Sequence, residues 1–131
     1  MAANSKKFVV DASFILCFLL SEEDLLDVEE KIDQFRDQKI TFVSVPLLNY
    51  EVQNGLKMSV VRHRVSAEKA NELCDTFFKL NIPFGEISQH QCFNLALKHD
   101  LTFYDACYLQ LANVFEIPLL TLDKKLAKLS A

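Results

Sequence analysis

The sequence has few of the residues that build linkers, with only 2 glycines and 3 prolines among its 131 residues. A chain so poor in both is not expected to contain long flexible linkers or low-complexity segments. It also lacks an apolar run of the roughly 18 residues that a membrane-spanning helix requires. With a hydrophobic content of 50%, it has the composition of one globular domain over residues 1–131.

The 4 cysteines lack the spacing of a zinc site or of a disulfide framework. No C-x-x-C pair occurs, and the histidines fall at no familiar zinc-ligand spacing. Buried, reduced thiols are therefore expected, as is typical of the cytoplasm. The apolar stretch at 8–20 is interrupted by Asp11 and followed by acidic residues, which does not fit a signal peptide. We expect a cytoplasmic protein with no membrane segment.

An excess of basic residues is also missing, since the net charge is -4. This argues mildly against a general nucleic-acid coat protein. The acidic residues are not all expected to have the same role, however. When four acidic residues discussed below are set apart, the rest of the chain holds as many acidic as basic residues. A local acidic site on a nearly neutral surface is the interpretation that the composition favours.

A short apolar run that ends on Asp11 dominates the start of the chain and is typical of a buried parallel strand. Further strands are predicted at 40–43, weakly at 81–84, and at 117–121. Helices are predicted between them and after the last one. This alternation predicts an α/β domain with a parallel sheet of about four strands and helices on both faces. Six residues are predicted to begin helices, in most cases as N-caps: Ser13, Ser21, Ser66, Ser88, Thr102 and Asp123.

Four acidic residues lie where predicted strands end or predicted helices begin. Asp11 and Asp123 follow strands, whereas Glu51 and Asp105 fall in the first turns of helices. Because the carboxyl ends of parallel strands meet at one edge of a sheet, all four should face that edge. Three also have structural explanations: Asp11 as a turn residue, Asp105 as a capping-box acid and Asp123 as an N-cap.

Carboxylates gathered at one edge repel each other by roughly 4 kcal/mol at about 4 Å, with an effective dielectric constant near 20. No arginine close in sequence is placed to neutralise them. A hard divalent cation would do so, and carboxylate oxygens are the ligands that Mg²⁺ and Mn²⁺ prefer. The sequence therefore predicts a metal site built from these acids.

The same segments resemble the PIN-domain family, and more narrowly the VapC-type toxin ribonucleases. The matching segments are Val9-Val10-Asp11-Ala12-Ser13, Pro46 with Glu51-Val52-Gln53-Asn54-Gly55-Leu56, Leu101-Thr102-Phe103-Tyr104-Asp105-Ala106, and Leu119-Leu120-Thr121-Leu122-Asp123-Lys124-Lys125-Leu126. They cover essentially the whole chain. No single segment is specific, but four in the family's order and spacing are.

The resemblance implies a single-domain PIN-like fold and a metal-dependent endoribonuclease that uses Mg²⁺ or Mn²⁺. It implies that Asp11 and Asp105 ligate the metal directly, and that Glu51 and Asp123 hold the metal or its waters. Three polar residues are implied or weaker supporting candidates: Ser13, Thr121 and Asn54.

The resemblance also implies the partners. These are an RNA substrate, a cognate antitoxin protein and a second copy of the chain in a homodimer. RNA contacts are expected from the basic segment 57–64 and from Lys124, Lys125 and Lys128. The basic segment is equally well explained as a solvated corner between two helices.

Other functions fit parts of the same pattern. A PIN nuclease of RNA processing, or one that acts on DNA, would use the same metal chemistry. A PIN domain that serves only as a binding module would be expected to lack one of the acids. A receiver-type signalling domain also combines a parallel sheet with Mg²⁺ and an aspartate pocket. It would show an acidic pair after the first strand, where this chain has Asp11 alone.

Overall fold

The computed structural model describes residues 6–22 and 25–130. Three strands, β1 (Lys6–Val10), β2 (Ile40–Val43) and β3 (Leu119–Leu120), form a parallel sheet in the order β2-β1-β3 within this part of the chain. The helices of the described residues are α1 (Ala12–Leu20), α2 (Leu25–Arg36), α3 (Leu47–Val61), α4 (Ala67–Leu80), α5 (Gln89–His99), α6 (Phe103–Phe115) and α7 (Lys124–Leu129). Within the same residues, every helix is too short or too polar to cross a bilayer.

Strand β1 lies at the centre of the sheet and sets its register. Val9 pairs with Val43 of β2 on one side and with Leu119 of β3 on the other. Because all three strands run in the same direction, the chain leaves each of them at the same edge. The residues that follow β1 and β3 are Asp11 and Thr121. The sheet therefore brings two of the segments singled out in the sequence to one place.

The core surrounds this central strand. Val9 and Val10 are fully buried, as expected for a parallel strand covered on both faces. Aromatic rings fill the space beside β2. Phe42 stacks on Phe35 with ring centroids 4.4 Å apart, and Phe14 meets it edge to face at 5.9 Å. Such pairs stabilise the core by about 0.5–1.5 kcal/mol beyond the area that they bury.

Helices α1 and α3 approach each other closely at Gly55. A Cβ atom at this position would collide with the side chain of Leu16. Glycine in a helix interior lowers helix stability by about 1 kcal/mol relative to alanine. At position 55 the missing side chain allows α3 to pack closely against α1. Gly55 lies one turn after Glu51 on α3, and Leu16 lies on the helix that begins directly after Asp11. The contact thus ties together two elements that bear predicted site acids.

Two predicted N-caps are wrong. Helix α1 is capped by Asp11, whose Oδ1 accepts a hydrogen bond from the Phe14 backbone N–H at 3.0 Å. Asp11 is the last extended residue, whereas Ser13 is already helical and its hydroxyl donates to the cap instead. Ser21 ends α1 in the left-handed region with φ 54° and so does not begin α2. Residues 23 and 24, predicted to open that helix, lie outside the described residues.

The predicted strand at 81–84 is reduced to a single parallel bridge between Ser44 and Phe84. Proline has no backbone N–H to donate, and Pro83 contributes only its carbonyl oxygen, which accepts from the Ser44 N–H at 3.0 Å. The sheet of the described residues thus has three strands with this bridge at the β2 side, where about four strands were predicted. The caps predicted at Ser66, Thr102 and Asp123 are confirmed.

Leu126 is the fully buried residue of the six-residue helix α7. We expect Leu126→Ala to lower the free energy of unfolding by about 2–5 kcal/mol, because it leaves a cavity in the core. Urea unfolding followed by circular dichroism measures this. Leu122→Ala is the matched control, since Leu122 is 38% exposed and its loss should cost less than about 1 kcal/mol. Equal unfolding midpoints for the two variants would contradict this packing of α7.

Candidate metal centre

All four acids singled out in the sequence line one open groove with a volume of about 520 Å³. We call it the acidic groove. Asp11 follows β1, Glu51 lies on α3, Asp105 on α6, and Asp123 precedes α7. Four separate elements therefore contribute one carboxylate each. The rest of the lining is formed by Ala12, Ser13, Leu16, Tyr50, Asn54, Gly55, Tyr104 and Tyr108.

Asp11 is the most buried of the four, at 4% exposure. Its Oδ1 accepts hydrogen bonds from the Ser13 hydroxyl at 2.7 Å and from the Phe14 N–H at 3.0 Å. Burial raises the pKa of Asp11 above its ordinary value, and the negative charge of Asp105 adds to the rise. Hydrogen bonds from Thr121, Ser13 and the backbone of Phe14 act against it, but burial dominates.

Two hydroxyl groups connect the ends of β1 and β3 beneath the groove. The Ser13 Oγ lies 3.3 Å from the Thr121 Oγ1 and accepts from the Leu122 N–H at 2.9 Å. The Thr121 Oγ1 in turn accepts from the Asp123 N–H at 3.1 Å. Both residues had been predicted as supports of the acids. Their contacts place them between the first and the last acid of the chain.

Asp105 interacts electrostatically with two other acids: its charge raises the pKa of Asp11, and the charge of Asp123 raises the pKa of Asp105. Its carboxylate is half-buried, and burial raises its pKa, followed by the charge of Asp123. A hydrogen bond from Thr102 opposes the rise. Asp123 itself is exposed, and its Oδ1 caps α7 by accepting from the Leu126 N–H at 3.0 Å. Like charges therefore interact along the groove.

Glu51 is held by a residue that the sequence did not single out. The Tyr108 hydroxyl donates to the Glu51 Oε1 at 2.7 Å, and Tyr108 is only 1% exposed. Burial raises the pKa of Tyr108 well above its ordinary value, and the Glu51 hydrogen bond and the charges of Glu51 and Asp11 raise it further. Asn54, the weaker candidate, is exposed on the groove one turn after Glu51.

The signal that could have identified Tyr108 was its spacing. It lies three residues after Asp105 on a helix, and residues at this separation share a face. The helix is apolar almost all round, which favours core packing and not a site role for a ring within it. The ring is indeed buried, but its hydroxyl reaches the groove.

No cationic side chain neutralises the acids in the part of the chain that the structure describes. The two ion pairs found there, Arg64 with Glu22 and Lys69 with Glu72, involve none of them. Across residues 6–22 and 25–130, no three His, Cys, Asp or Glu side chains stand close enough together to hold an ion as they are placed. The groove therefore does not offer four direct carboxylate ligands at one point.

A magnesium ion does not require such a cage. Mg²⁺ dehydrates reluctantly and is usually bound through one or two carboxylates while it keeps several waters. An acidic groove of this volume, with no cation of its own among the described residues, has the charge, the ligand type and the room for a partly hydrated ion. The residues present fit Mg²⁺ or Mn²⁺ in this form.

Known proteins are similar to this chain in sequence. A profile of the PIN domain matches residues 8–131. The chain belongs to the PIN domain family. Ribonuclease VapC3 of Pyrobaculum aerophilum is 34% identical over 127 residues, which cover 93% of each chain. Ribonuclease VapC1 of Mycobacterium tuberculosis is 33% identical over 82 residues, or 62% of each chain.

The fold is shared as well. The crystal structure of PAE2754 from Pyrobaculum aerophilum superposes with a TM-score of 0.76 at 21% identity, and the match covers 98% of this chain and 88% of that one. Membership of the PIN family confirms the predicted fold class, a PIN-like α/β domain. It also favours a PIN protein over the receiver-type alternative. The metal-binding and catalytic roles of the individual acids remain predictions.

Asp11→Asn should stabilise the metal-free protein at neutral pH. Asparagine keeps the Oδ1 acceptor of the cap and removes a buried charge. Because the folded-state pKa of Asp11 lies above its ordinary value of 3.8, the folded protein binds more protons than the unfolded chain between the two pKa values. The stability contributed by protonated Asp11 is therefore lost as the pH rises through that window. We expect the melting temperature to rise by a few degrees.

Thermal unfolding in EDTA across the acidic to neutral range measures this difference, which should disappear near the acidic end. Asp75→Asn is the control, because it removes an exposed charge on α4, outside the acidic groove. A melting temperature for Asp11→Asn that stays at or below the wild-type value at neutral pH would refute the cost assigned to the buried carboxylate.

Tyr108→Phe should weaken Mn²⁺ binding about tenfold, since residues that orient metal-binding groups usually contribute 10–100-fold to affinity. Isothermal titration with Mn²⁺ measures the change. If the hydroxyl acts through Glu51, the same substitution should have no further effect in a Glu51→Gln background. Additive losses in the double variant would mean that Tyr108 acts by another route.

Proposed function

We propose that this protein is a metal-dependent endoribonuclease of the VapC type and the toxin of a toxin–antitoxin pair. The main support is the acidic groove, in which four elements of the fold contribute one carboxylate each without a basic partner among the described residues. The names of the relatives VapC3 and VapC1, both called ribonucleases, support RNA as the substrate.

The proposed cofactor is Mg²⁺ or Mn²⁺. When bound, such an ion lowers the pKa of a coordinated water and stabilises negative charge on the scissile phosphate. Asp11 and Asp105 would be the direct ligands. Asp11 suits this role because Ser13 and the backbone of Phe14 fix its carboxylate. A ligand held in this way needs little reorganisation when the ion binds.

Glu51 and Asp123 would act on the waters around the ion. The hydrogen bond from Tyr108 fixes one oxygen of Glu51, so that the orientation of this carboxylate is set before substrate binds. Asp123 uses Oδ1 to cap α7 and is exposed, which suits a contact through water. One carboxylate of the acidic groove would accept the proton of the attacking water.

The proposed partners are RNA, a cognate antitoxin protein and a second copy of the chain. The proposed location is the cytoplasm, which agrees with buried thiols at Cys92 and Cys107. Two of the basic residues expected at RNA are already engaged: Arg64 lies 3.9 Å from Glu22, and the Lys125 Nζ donates to the Asp100 carbonyl at 2.8 Å. The other basic residues expected at RNA, among them Lys57, Arg62, Lys124 and Lys128, are exposed and are the stronger candidates for phosphate contacts.

Asp11→Asn and Asp105→Asn should each lower RNA cleavage by more than about a hundredfold, since even outer-shell partners of a metal contribute 10–100-fold. Asp123→Asn should cost less, about tenfold, because its contact runs through water. The assay follows cleavage of single-stranded RNA by the purified protein in Mg²⁺, in Mn²⁺ and in EDTA. Asp75→Asn, at an exposed site on α4, is the control. Wild-type cleavage by both Asp11→Asn and Asp105→Asn would refute the mechanism.

Toxin function has its own test. The chain is expressed in a bacterial host with and without the neighbouring reading frame, and the ends of the cellular RNAs are sequenced. Growth arrest that the neighbour relieves, together with new RNA ends, is the expected result. Cleavage without growth arrest would assign the protein to RNA processing, and preferential cleavage of DNA in the purified assay would exclude RNA as the main substrate.

A further inference from the structure

A second groove adjoins the acidic groove and has a different character. It has a volume of about 490 Å³, and we call it the apolar groove. Tyr50 and Tyr104 line both grooves and therefore form the wall between them. The other side chains of the apolar groove that matter here are Pro46, Leu47, Ile87, Phe103, Glu86 and Gln89.

The two tyrosines of this wall are unusually exposed. Tyr50 is 75% exposed and Tyr104 is 55% exposed, whereas Tyr108 is 1% exposed. Their rings contribute little to the core. Phe103 meets Tyr104 edge to face with ring centroids 6.4 Å apart, which limits the orientations open to that ring. Large aromatic rings that are exposed yet held in place are suited to contact with a ligand.

The rings of Tyr50 and Tyr104 also lie close to two of the acids. Tyr50 directly precedes Glu51, and Tyr104 directly precedes Asp105. Both rings line the acidic groove together with Glu51 and Asp105, so each ring lies near an acid of the proposed catalytic site. Whatever contacts the rings must therefore be a near neighbour of the group that reacts in the acidic groove.

The lining indicates which part of a nucleic acid fits. The residues that line the apolar groove, all within the described chain, include no lysine or arginine, and Glu86 would repel a phosphate. A nucleobase is neutral and flat. Aromatic and apolar surfaces bind its faces, and side chains such as Gln89 and Glu86 can pair with its polar edge.

We propose that Tyr50 and Tyr104 bind an unpaired nucleobase that neighbours the scissile phosphate, with the apolar groove receiving the base. This assignment rests on the proposed ribonuclease function. It deepens that function by naming the residues that contact a base beside the cut, and a base that is stacked and paired in a duplex cannot enter such a groove. It also makes these tyrosines the residues that set base preference beside the cut.

The direct test measures binding rather than cleavage. The protein carries Asp105→Asn to prevent turnover, and Mg²⁺ is present. Fluorescence anisotropy compares a short single-stranded RNA of mixed sequence with a strand of the same length that has the ribose-phosphate backbone but no bases. The strand with bases should bind about tenfold more tightly, which is within the range for one base stacked on an aromatic side chain.

That preference for bases should disappear when Tyr50→Ala or Tyr104→Ala is added and should return with Tyr50→Phe or Tyr104→Phe, which restore the ring. Phe78→Ala is the matched control, because Phe78 is also 55% exposed but lies on α4, which lines neither groove. Titration with Mn²⁺ should give the same affinity with and without the tyrosine substitutions. A preference for bases that persists in both alanine variants would overturn the proposal, whether or not the protein cleaves RNA.

Cleavage by the otherwise unaltered protein separates the two proposals. In a pool of random single-stranded RNA, the alanine variants should cut about tenfold more slowly and with a changed base preference at a position beside the cut. Unchanged rates and unchanged RNA ends would overturn the base site and leave the nuclease intact. Equal binding of the strands with and without bases by the parent protein would also overturn it, and would favour a peptide side chain as the occupant of the apolar groove.

Discussion

The constraint on which the site depends is the crowding of negative charge at the carboxyl edge of a parallel sheet. The fold places the carboxylate of Asp11 at the end of its central strand, where burial to 4% exposure keeps solvent from screening it. It then adds Asp105 close enough to raise the pKa of Asp11, and Asp123 close enough to raise that of Asp105. Such an arrangement weakens the isolated protein. A cation bound in the groove would offset this cost, and the cost is therefore the main physical argument for the proposed metal site.

The fold tolerates that cost because the acids also serve structural purposes. Asp11 and Asp123 are N-caps, and Asp105 belongs to the capping turn at the start of α6. Helix N-termini are positively polarised, which offsets part of the repulsion. The sequence had presented capping and metal binding as alternatives. The structure shows that capping by Asp11 and Asp123 uses Oδ1 in each case, so that the two roles are compatible in one side chain.

Much of the fold follows from local sequence patterns, because the strands and helices differ clearly in hydrophobic period and in their capping residues. Strand β2 was predicted with its observed ends, and the acids were predicted to share an edge from strand polarity alone. What local patterns could not supply were contacts between distant segments. The hydrogen bond between Tyr108 and Glu51 joins residues 57 positions apart in the chain. Whether 81–84 forms a strand likewise depends on its pairing with a distant segment, and it forms only the bridge from Phe84 to Ser44. The cap of α1 was assigned to Ser13 because Asp11 was interpreted as a turn residue after the strand, whereas Asp11 itself is the cap.

The close contact at Gly55 has a consequence for how the site can vary. Because Gly55 has no side chain, α3 packs directly against Leu16 of α1. The positions of Glu51 on α3 and of Asp11 at the start of α1 are coupled through this contact. A side chain at Gly55 would press against Leu16 and would therefore change the separation of the two acids. Exposed residues of the groove lining, such as Tyr50 and Tyr104, can change without disturbing the geometry of the acids. Substrate preference can therefore vary more easily at these positions.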